Sequence, residues 1–302
     1  MMNNLNYRKL LDISQNTGLP VKKILDLLFI IKQGKKDALE EKTGISKNVL
    51  SLVLPCLANI QVEFDANYKT EEELFCVPGD VVKITSALQK YNRPEPKREY
   101  DQFMATLETT AKRVALMNFF EDIRDKRLLF LGDDDLMLAA VNVVGEPILV
   151  QALDIDKRQL ETIKAVGKDF GKTIFADLYD ARNDLPARYK GRFDVVFTDP
   201  PYTTEGVRLF LSRAIDALDK QNEAARIYFC FGNSDRAKER FLPIYQAIVD
   251  SGLMLRWVFD KFNRYEGAES IGSTSTLFVC DITPKTKPLV KGGTRDDIYT
   301  NN

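Results

Sequence analysis

The sequence predicts an α/β protein in which a doubly wound, mostly parallel sheet of seven strands follows a smaller helical domain. From about residue 100 onward, short apolar runs alternate with helical segments, the order that builds a parallel sheet covered by helices on both faces. The first ninety residues instead carry apolar residues at three- and four-residue steps, before any strand pattern begins. A ligand is then expected at the carboxyl ends of the central strands.

The N-terminal region, residues 1–92, has the pattern of a winged helix. A helix-turn-helix with its turn at Gly44 is followed by alternating apolar residues at 60–64 and 74–77, which predict the two strands of a wing. Few polar side chains on the second helix could read DNA, and glutamates crowd the wing, so dimerisation or substrate positioning is favoured over nucleic-acid binding. Earlier helices are predicted over 7–15 and 21–33, and a later one ends near residue 91.

The remaining chain divides into a linker, the α/β domain and a tail. The Pro-containing linker and the start of a connecting helix occupy 93–110, the α/β domain 111–281 and a mobile tail 282–302. Strands are predicted over 128–131, 148–153, 173–176, 195–198, 227–231, 253–259 and 276–280. The clearest helices between them are predicted over 157–170, 205–218 and 237–251.

The composition excludes several classes of protein and limits the residues that could transfer protons. The formal net charge of −1 and 44% apolar residues disfavour disorder and strongly basic nucleic-acid binders. The longest apolar runs fall short of the roughly 20 residues that cross a bilayer, and the start lacks a signal-peptide profile, so a cytoplasmic protein is expected. Four scattered cysteines predict reduced thiols. Because there is no histidine, proton transfer must use carboxylates, Tyr, Lys or Cys, and no metal site is predicted.

Three consecutive aspartates follow the first predicted strand, in the sequence LLFLGDDDL. Gly132 turns the chain, and Asp133, Asp134 and Asp135 come directly after it. One aspartate could simply cap the next helix. Three adjacent carboxylates repel one another, so the group favours a cationic ligand.

Aspartates also end the second and third predicted strands. Asp154 lies about 20 residues after Gly132, where an acidic side chain in such folds accepts hydrogen bonds from ribose hydroxyls. Asp156 is interpreted as the cap of the following helix. Asp177 ends the third strand and could contact the amino group of an adenine, or be an ordinary loop residue.

The fourth strand ends in Asp199-Pro200-Pro201-Tyr202. A carboxylate, two prolines that fix the backbone and an aromatic face together suit an amine that must be desolvated, deprotonated and held for attack. A tight turn is the simpler interpretation of the same four residues.

These motifs resemble the branched-chain polyamine synthases, also called N(4)-bis(aminopropyl)spermidine synthases. The similar segments are GDDDL at 132–136, LDID at 153–156, TDPPYTTEGVRLFLSRAI at 198–215 and GGTRDDIYT at 292–300. The resemblance implies a methyltransferase-like Rossmann fold and a dimer formed through the winged helix. It also implies transfer of two aminopropyl groups from decarboxylated S-adenosylmethionine, a co-substrate rather than a prosthetic group, to the internal amine of spermidine.

The resemblance also suggests roles for individual residues. Asp133 is assigned as the base, with Asp199 as the main alternative. Gly132, Asp134, Asp135, Asp154 and Asp177 would hold the donor. The acceptor would contact Asp199, Pro200 and Tyr202, and a tail carrying Asp296, Asp297 and Tyr299 would close over it as a lid.

Two other functions stay open. Amino-methyltransferases that act on a nucleic-acid base also carry Asp-Pro-Pro-Tyr after the fourth strand, but the aspartates replace their glycine-rich turn and no basic excess is present to neutralise phosphates. A winged-helix regulator that senses a nucleoside or a polyamine is the non-enzymatic alternative, and it leaves the Asp-Pro-Pro-Tyr segment without a chemical role.

Overall fold

One seven-stranded sheet forms the centre of the α/β unit. The computed structural model describes residues 4–34, 39, 43, 45, 47–70, 79–170, 174–232, 237–266 and 273–300. The strands are β1 (Arg127–Leu131), β2 (Leu149–Asp154), β3 (Phe175–Leu178), β4 (Val195–Thr198), β5 (Arg226–Phe231), β6 (Met254–Arg264) and β7 (Thr274–Asp281). They lie in the order β3-β2-β1-β4-β5-β7-β6, with β7 antiparallel to both its neighbours and β1 to β5 mutually parallel.

This sheet confirms the predicted doubly wound, mostly parallel architecture of seven strands. The central strands are largely apolar, such as β4 with Val-Val-Phe before its final Thr198, because helices cover both of their faces. Strand β6 is longer than predicted. Its polar second half, which includes Asp260 and Asn263, looks like a loop in sequence but pairs with β7 beyond an irregularity in register.

Nine α-helices are seen in the described part of the chain. They are α1 (Asn4–Thr17), α2 (Val21–Lys32), α3 (Lys47–Leu57), α4 (Asp80–Leu88), α5 (Leu107–Phe119), α6 (Met137–Val144), α7 (Lys157–Asp169), α8 (Thr204–Ala217) and α9 (Leu242–Asp250), and a short 3₁₀ helix covers Arg98–Tyr100. Asp156 caps α7 by accepting from the Arg158 N–H, as predicted. The predicted 237–251 helix is α-helical only from Leu242, with Pro243 in its first turn and a 3₁₀ segment before it.

The N-terminal helices α1 to α3 share an apolar core of their own. Tyr7 of α1 joins this unit to the α/β unit, since its hydroxyl donates to Glu121 at 3.1 Å and the Arg124 guanidinium lies over its ring. This contact lies just before β1, at the amino edge of the sheet. Residues 60–64 are described without strand pairing, and their predicted partner at 74–77 lies outside the described residues, as does Gly44. A winged helix therefore stays a prediction.

Helix α4 packs with the α/β unit although the sequence groups it with the first ninety residues. Its buried Ile84 and Leu88 belong to the same apolar core as β1 and α5. The chain that follows runs through the proline-containing linker to the 3₁₀ helix and α5. This path brings residues 100–102 to the carboxyl edge of the sheet, where they line a cleft.

Candidate active site

A cleft lies at the carboxyl ends of β1, β2 and β4, the position expected for a ligand in this fold. Its empty space, part of which is open to solvent, is about 560 Å³. Four of its lining residues are aspartates, Asp101, Asp134, Asp154 and Asp199, and none of the described lining residues is Lys or Arg. Aromatic walls come from Tyr100, Tyr179, Phe210 and Tyr299. An acidic cleft with aromatic walls favours cationic ligands.

The turn after β1 gives its three aspartates three different environments. Gly132 and Leu136 have positive φ angles of 74° and 58°, so the chain winds tightly before α6 begins. Asp133 lies inside this turn and caps α6, because its two carboxylate oxygens accept from the N–H groups of Met137 and Leu138 at 2.7 and 2.9 Å. Burial raises the pKa of Asp133 to about 7.

Asp135 points into the protein and is held by two arginines. Its Oδ2 accepts from Arg113 at 2.7 Å, and its Oδ1 accepts from Arg93 at 3.3 Å and from the Ala105 N–H at 2.7 Å. It is not among the residues that line the cleft. The predicted contact of Asp135 with a donor ammonium stays a prediction.

Asp134 is the member of the triplet that faces the cleft. In the described part of the chain its carboxylate accepts no hydrogen bond, and burial together with the charges of Asp135, Asp154 and Asp199 raises its pKa well above the usual value. A carboxylate in this environment gains by accepting a proton or by contacting a cation.

The aspartates that were predicted to end the second and third strands differ in their access to the cleft. Asp154 is the last residue of β2, whereas Asp177 lies within β3. Asp154 lines the cleft and accepts from the N–H groups of Asp133 and Asp156, while burial raises its pKa to about 6. Asp177 does not line it. Its Oδ2 accepts from the Tyr189 hydroxyl at 2.6 Å and from the Gln151 amide at 3.3 Å, so the predicted adenine contact stays a prediction.

Asp199 follows β4 and is fixed by three donors. Its Oδ2 accepts from Arg113 at 2.8 Å and from the Tyr265 hydroxyl at 2.6 Å, and its Oδ1 accepts from the Tyr202 hydroxyl at 3.0 Å. Both prolines are buried, and of the two only Pro201 lines the cleft. The Tyr202 ring packs against Phe231, and the structure brings the hydroxyl of Tyr202, rather than its ring face, to the Asp199 carboxylate.

The C-terminal segment 282–300 is packed against the α/β unit rather than extending freely. Thr300 donates its N–H and its hydroxyl to the Asp101 carboxylate at 2.7 and 2.6 Å. Tyr299 lines the cleft, 6.2 Å from Tyr100 between ring centroids. Asp297 is exposed and, like Asp296, does not line the cleft.

Several residues of the site were not predicted from the sequence. The fully buried Arg113 of α5 and the buried Tyr265 after β6 both hold Asp199, and Asp101 adds a fourth carboxylate to the cleft. Arg113 is in phase with the buried Thr110, Val114 and Met117 along α5. A basic residue on an otherwise buried helix face was the signal that could have identified it.

Neither a metal cluster nor a membrane span is found in the described part of the chain. Among those residues there is no cluster of three or more Cys, Asp or Glu side chains that could hold a metal ion. None of the described helices has both the length and the apolar character to cross a membrane.

Comparison with known proteins shows clear similarity in the α/β unit. Residues 80–300 match the family model for the branched-chain polyamine synthase A C-terminal domain. An uncharacterised protein of Methanocaldococcus jannaschii is 40% identical over 210 residues, 69% of this chain and 51% of that protein. The N(4)-bis(aminopropyl)spermidine synthase of Thermococcus kodakarensis is 34% identical over 240 residues, 79% of this chain and 64% of that protein. The chain thus spans between half and two thirds of the length of these curated relatives.

Solved structures share the fold at lower identity. The branched-chain polyamine synthase from Thermus thermophilus, solved with N4-aminopropylspermidine and 5'-methylthioadenosine, has a TM-score of 0.64 at 21% identity and covers 97% of both chains. A structure described as a putative RNA methyltransferase from Pyrococcus horikoshii has a TM-score of 0.53 at 15% identity, covering 67% of this chain and 98% of that one. These likenesses confirm the methyltransferase-like α/β fold.

Proposed function

The chain belongs to the branched-chain polyamine synthase A family, and from that premise we propose that it transfers aminopropyl groups from decarboxylated S-adenosylmethionine to the internal secondary amine of spermidine. Two transfers would give N(4)-bis(aminopropyl)spermidine. The relatives named as synthases and the Thermus thermophilus complex support this substrate class.

The observation that carries the proposal is the charge of the cleft. Four aspartates line it, and none of its described lining residues is basic. Decarboxylated S-adenosylmethionine carries a sulfonium and an ammonium, and spermidine is a polycation, so both substrates complement these walls.

The same charge supports discrimination between donors. Intact S-adenosylmethionine adds a carboxylate beside its ammonium. A like charge about 4 Å from an aspartate costs about 4 kcal/mol at an effective dielectric of 20, roughly a thousandfold in affinity. Asp134 occupies the turn after β1, where a methyltransferase of this fold has a glycine-rich loop, and it would repel that carboxylate.

The reaction is a direct displacement. The lone pair of the acceptor nitrogen attacks the aminopropyl carbon bonded to sulfur, the C–S bond breaks, and sulfur leaves with its electron pair as the neutral thioether 5'-methylthioadenosine. An amine that is protonated in solution must first lose a proton to gain its lone pair, for the first transfer and for the second. A carboxylate with a raised pKa is suited to accept that proton.

Among the candidate bases, the geometry favours Asp134. Asp133, assigned from the resemblance, uses both oxygens to cap α6, and Asp199 is held by three donors. Asp134 has no hydrogen-bond donor among the described residues and has a raised pKa. In this proposal Asp134 takes the proton, Asp199 holds the acceptor ammonium, and Asp154 accepts from the ribose hydroxyls.

Three further elements belong to the same proposal and rest on the resemblance. They are a homodimer, a cytoplasmic location and closure of the tail over the polyamine. The contacts of Thr300 with Asp101 and the position of Tyr299 beside the cleft support the last of these.

The test is mass spectrometry of the products after incubation of the purified protein with spermidine and the decarboxylated donor. We expect one and then two aminopropyl additions, with tandem fragmentation placing both on the internal nitrogen. Additions at the terminal amines would identify a linear polyamine synthase. Absence of any adduct, combined with methyl transfer from the intact donor to nucleic acid, would replace the proposal with the methyltransferase alternative.

A further inference from the structure

Two fully buried arginines each join a pair of aspartates, at opposite edges of the sheet. Arg113 joins Asp135 to Asp199 beside the cleft, and Arg226 joins Asp122 to Asp281 at the amino end of β5. We propose that Arg113 is a positioning residue for the transfer reaction: it fixes Asp199 in one orientation, as an anion, at the wall of the cleft. This inference rests on the proposed function, which supplies the substrates. It assigns a positioning role to a residue that does not contact them.

The contacts of Arg113 leave its guanidinium a single orientation. Nε donates to the Asn263 side chain at 2.8 Å, one terminal nitrogen donates to Asp135 at 2.7 Å, and the other donates to Asp199 and to the Tyr265 hydroxyl at 2.8 Å each. A planar fork with several occupied donors holds a carboxylate more rigidly than a single ammonium can. The position of Asp199 is therefore set from α5, behind the cleft wall.

Tyrosine hydroxyls complete the shell around Asp199. Tyr265 accepts from Arg113, lies 2.9 Å from the Ser275 hydroxyl, and gives its own proton to Asp199. Tyr202 donates to the other carboxylate oxygen. Each of these donors stabilises the ionised carboxylate.

The charges around Asp199 act in opposite directions. Burial and the neighbouring Asp135 raise the pKa of Asp199 above its usual value, and Arg113 and the two tyrosine hydroxyls oppose that rise. Asp134 and the buried thiol of Cys230 also face this group from the turn after β1 and from β5. Arg113 supplies the formal positive charge in contact with Asp199 among the described residues, so the ionised state of Asp199 depends chiefly on it.

This arrangement gives the two cleft carboxylates different tasks. Asp199, with both oxygens held, stays ionised and anchors the acceptor ammonium and the positive charge that develops on nitrogen. Asp134, which lacks a described donor, is the carboxylate that exchanges a proton. Without Arg113, Asp199 would also retain a proton near neutral pH, and the cleft would lose its fixed anion.

The experiment compares Arg113→Gln and Arg113→Lys with the matched control pair Arg226→Gln and Arg226→Lys in the full chain. The readout is the pH profile of kcat/KM with spermidine and the decarboxylated donor. For Arg113→Gln we expect the acid limb to move upward and become steeper, because the ionisation of Asp199 then joins that of Asp134. An adjacent opposite charge shifts the pKa of a carboxylate by about 1 to 3 pH units, which sets the upper limit of this movement. Lysine keeps the charge and should reverse part of that shift. The Arg226 variants should lose thermal stability, while the acid limb of their pH profile stays where it is in the wild type.

A double variant separates positioning from general stability. In an Asp199→Asn background, Arg113 has no cleft carboxylate to hold. Adding Arg113→Gln should then lower kcat/KM further by less than about tenfold, because both changes remove the same interaction. If Arg113→Gln does not fold, Tyr265→Phe removes one donor from Asp199 while keeping the ring, and its acid limb should shift in the same direction.

A titration without turnover keeps this inference distinct from the proposed function. The ¹³C resonance of the Asp199 carboxyl reports its pKa in the ligand-free protein, and Arg113→Gln should raise that pKa. A wild type that transfers no aminopropyl group would overturn the proposed function, while this titration would still decide the role of Arg113. An unchanged Asp199 titration, or equal shifts in the Arg226 variants, would overturn the positioning role.

Discussion

Replacing Asp134 with Asn should weaken substrate binding and stabilise the ligand-free protein at the same time. The change removes a charge while keeping the shape of the side chain, and no described donor loses its acceptor. An ammonium about 4 Å from this carboxylate gains about 4 kcal/mol at an effective dielectric of 20. Since Asp134 keeps some solvent contact, we expect a loss of about 2 to 4 kcal/mol, roughly 30- to 1000-fold in polyamine affinity.

The stability effect has the opposite sign and depends on pH. The pKa of Asp134 is raised in the folded protein, so its ionised form destabilises the fold above the pKa of the unfolded chain. The Asp134→Asn substitution removes this cost at pH 8, and its effect should shrink as the pH falls toward about 4, near the pKa of an unfolded aspartate. The assays are calorimetric titration with spermidine and thermal unfolding at pH 4.5 and 8. The control is Asp250→Asn at the exposed end of α9, which removes the same charge at a residue that does not line the cleft.

Two outcomes would refute this reasoning. If Asp134→Asn and Asp250→Asn weaken spermidine binding equally, the effect comes from net charge rather than from a contact in the cleft. If Asp134→Asn lowers the unfolding temperature at pH 8, the carboxylate has a stabilising partner, and its assignment as the proton acceptor fails.

The same geometry supports three further predictions. The pKa values of Asp133 and Asp154 are raised to about 7 and about 6, so these residues contribute stability that is lost as the pH rises through that range. The unfolding temperature of the ligand-free protein should therefore fall between pH 5 and 8, and a rise would contradict this. Asp133→Ala removes the cap of α6 and should lower the free energy of unfolding, measured by chemical denaturation, by about 0.5 to 2 kcal/mol. An unchanged free energy of unfolding would argue against capping. Tyr299→Ala should raise KM for spermidine about tenfold, because it removes an aromatic ring from the cleft wall, while Tyr299→Phe keeps the ring and should leave KM unchanged. Steady-state kinetics measure both variants, and an unchanged KM in Tyr299→Ala would show that this residue plays no part in binding.

The sequence predicts the parts of the site that are local in the chain. Asp199 after β4, the triplet after β1 and the cap at Asp156 each follow from a strand or helix boundary next to a polar residue. Periodicity also predicts the apolar central strands, because helices bury both faces of the sheet. Boundaries are less certain where polar residues continue a strand, as in the second half of β6.

The division of labour within the triplet could not be predicted. The three residues are all aspartate, so their sequence does not distinguish them. The turn between the left-handed residues Gly132 and Leu136 directs Asp133 to the start of α6, Asp134 to the cleft and Asp135 to Arg113. The partners of Asp199 are equally inaccessible to local patterns. Arg113 and Tyr265 lie 86 and 66 residues away in the chain and meet it only through the tertiary fold.

If the acidic cleft selects the donor that lacks a carboxylate and uses it to alkylate an internal amine, competition between donors is the most direct test. Spermidine is incubated with equal concentrations of decarboxylated and intact S-adenosylmethionine, and every adduct is analysed by tandem mass spectrometry. We predict aminopropyl groups alone, one and then two, on the internal nitrogen. Methyl adducts, or adducts that retain the donor carboxylate, would contradict this selection.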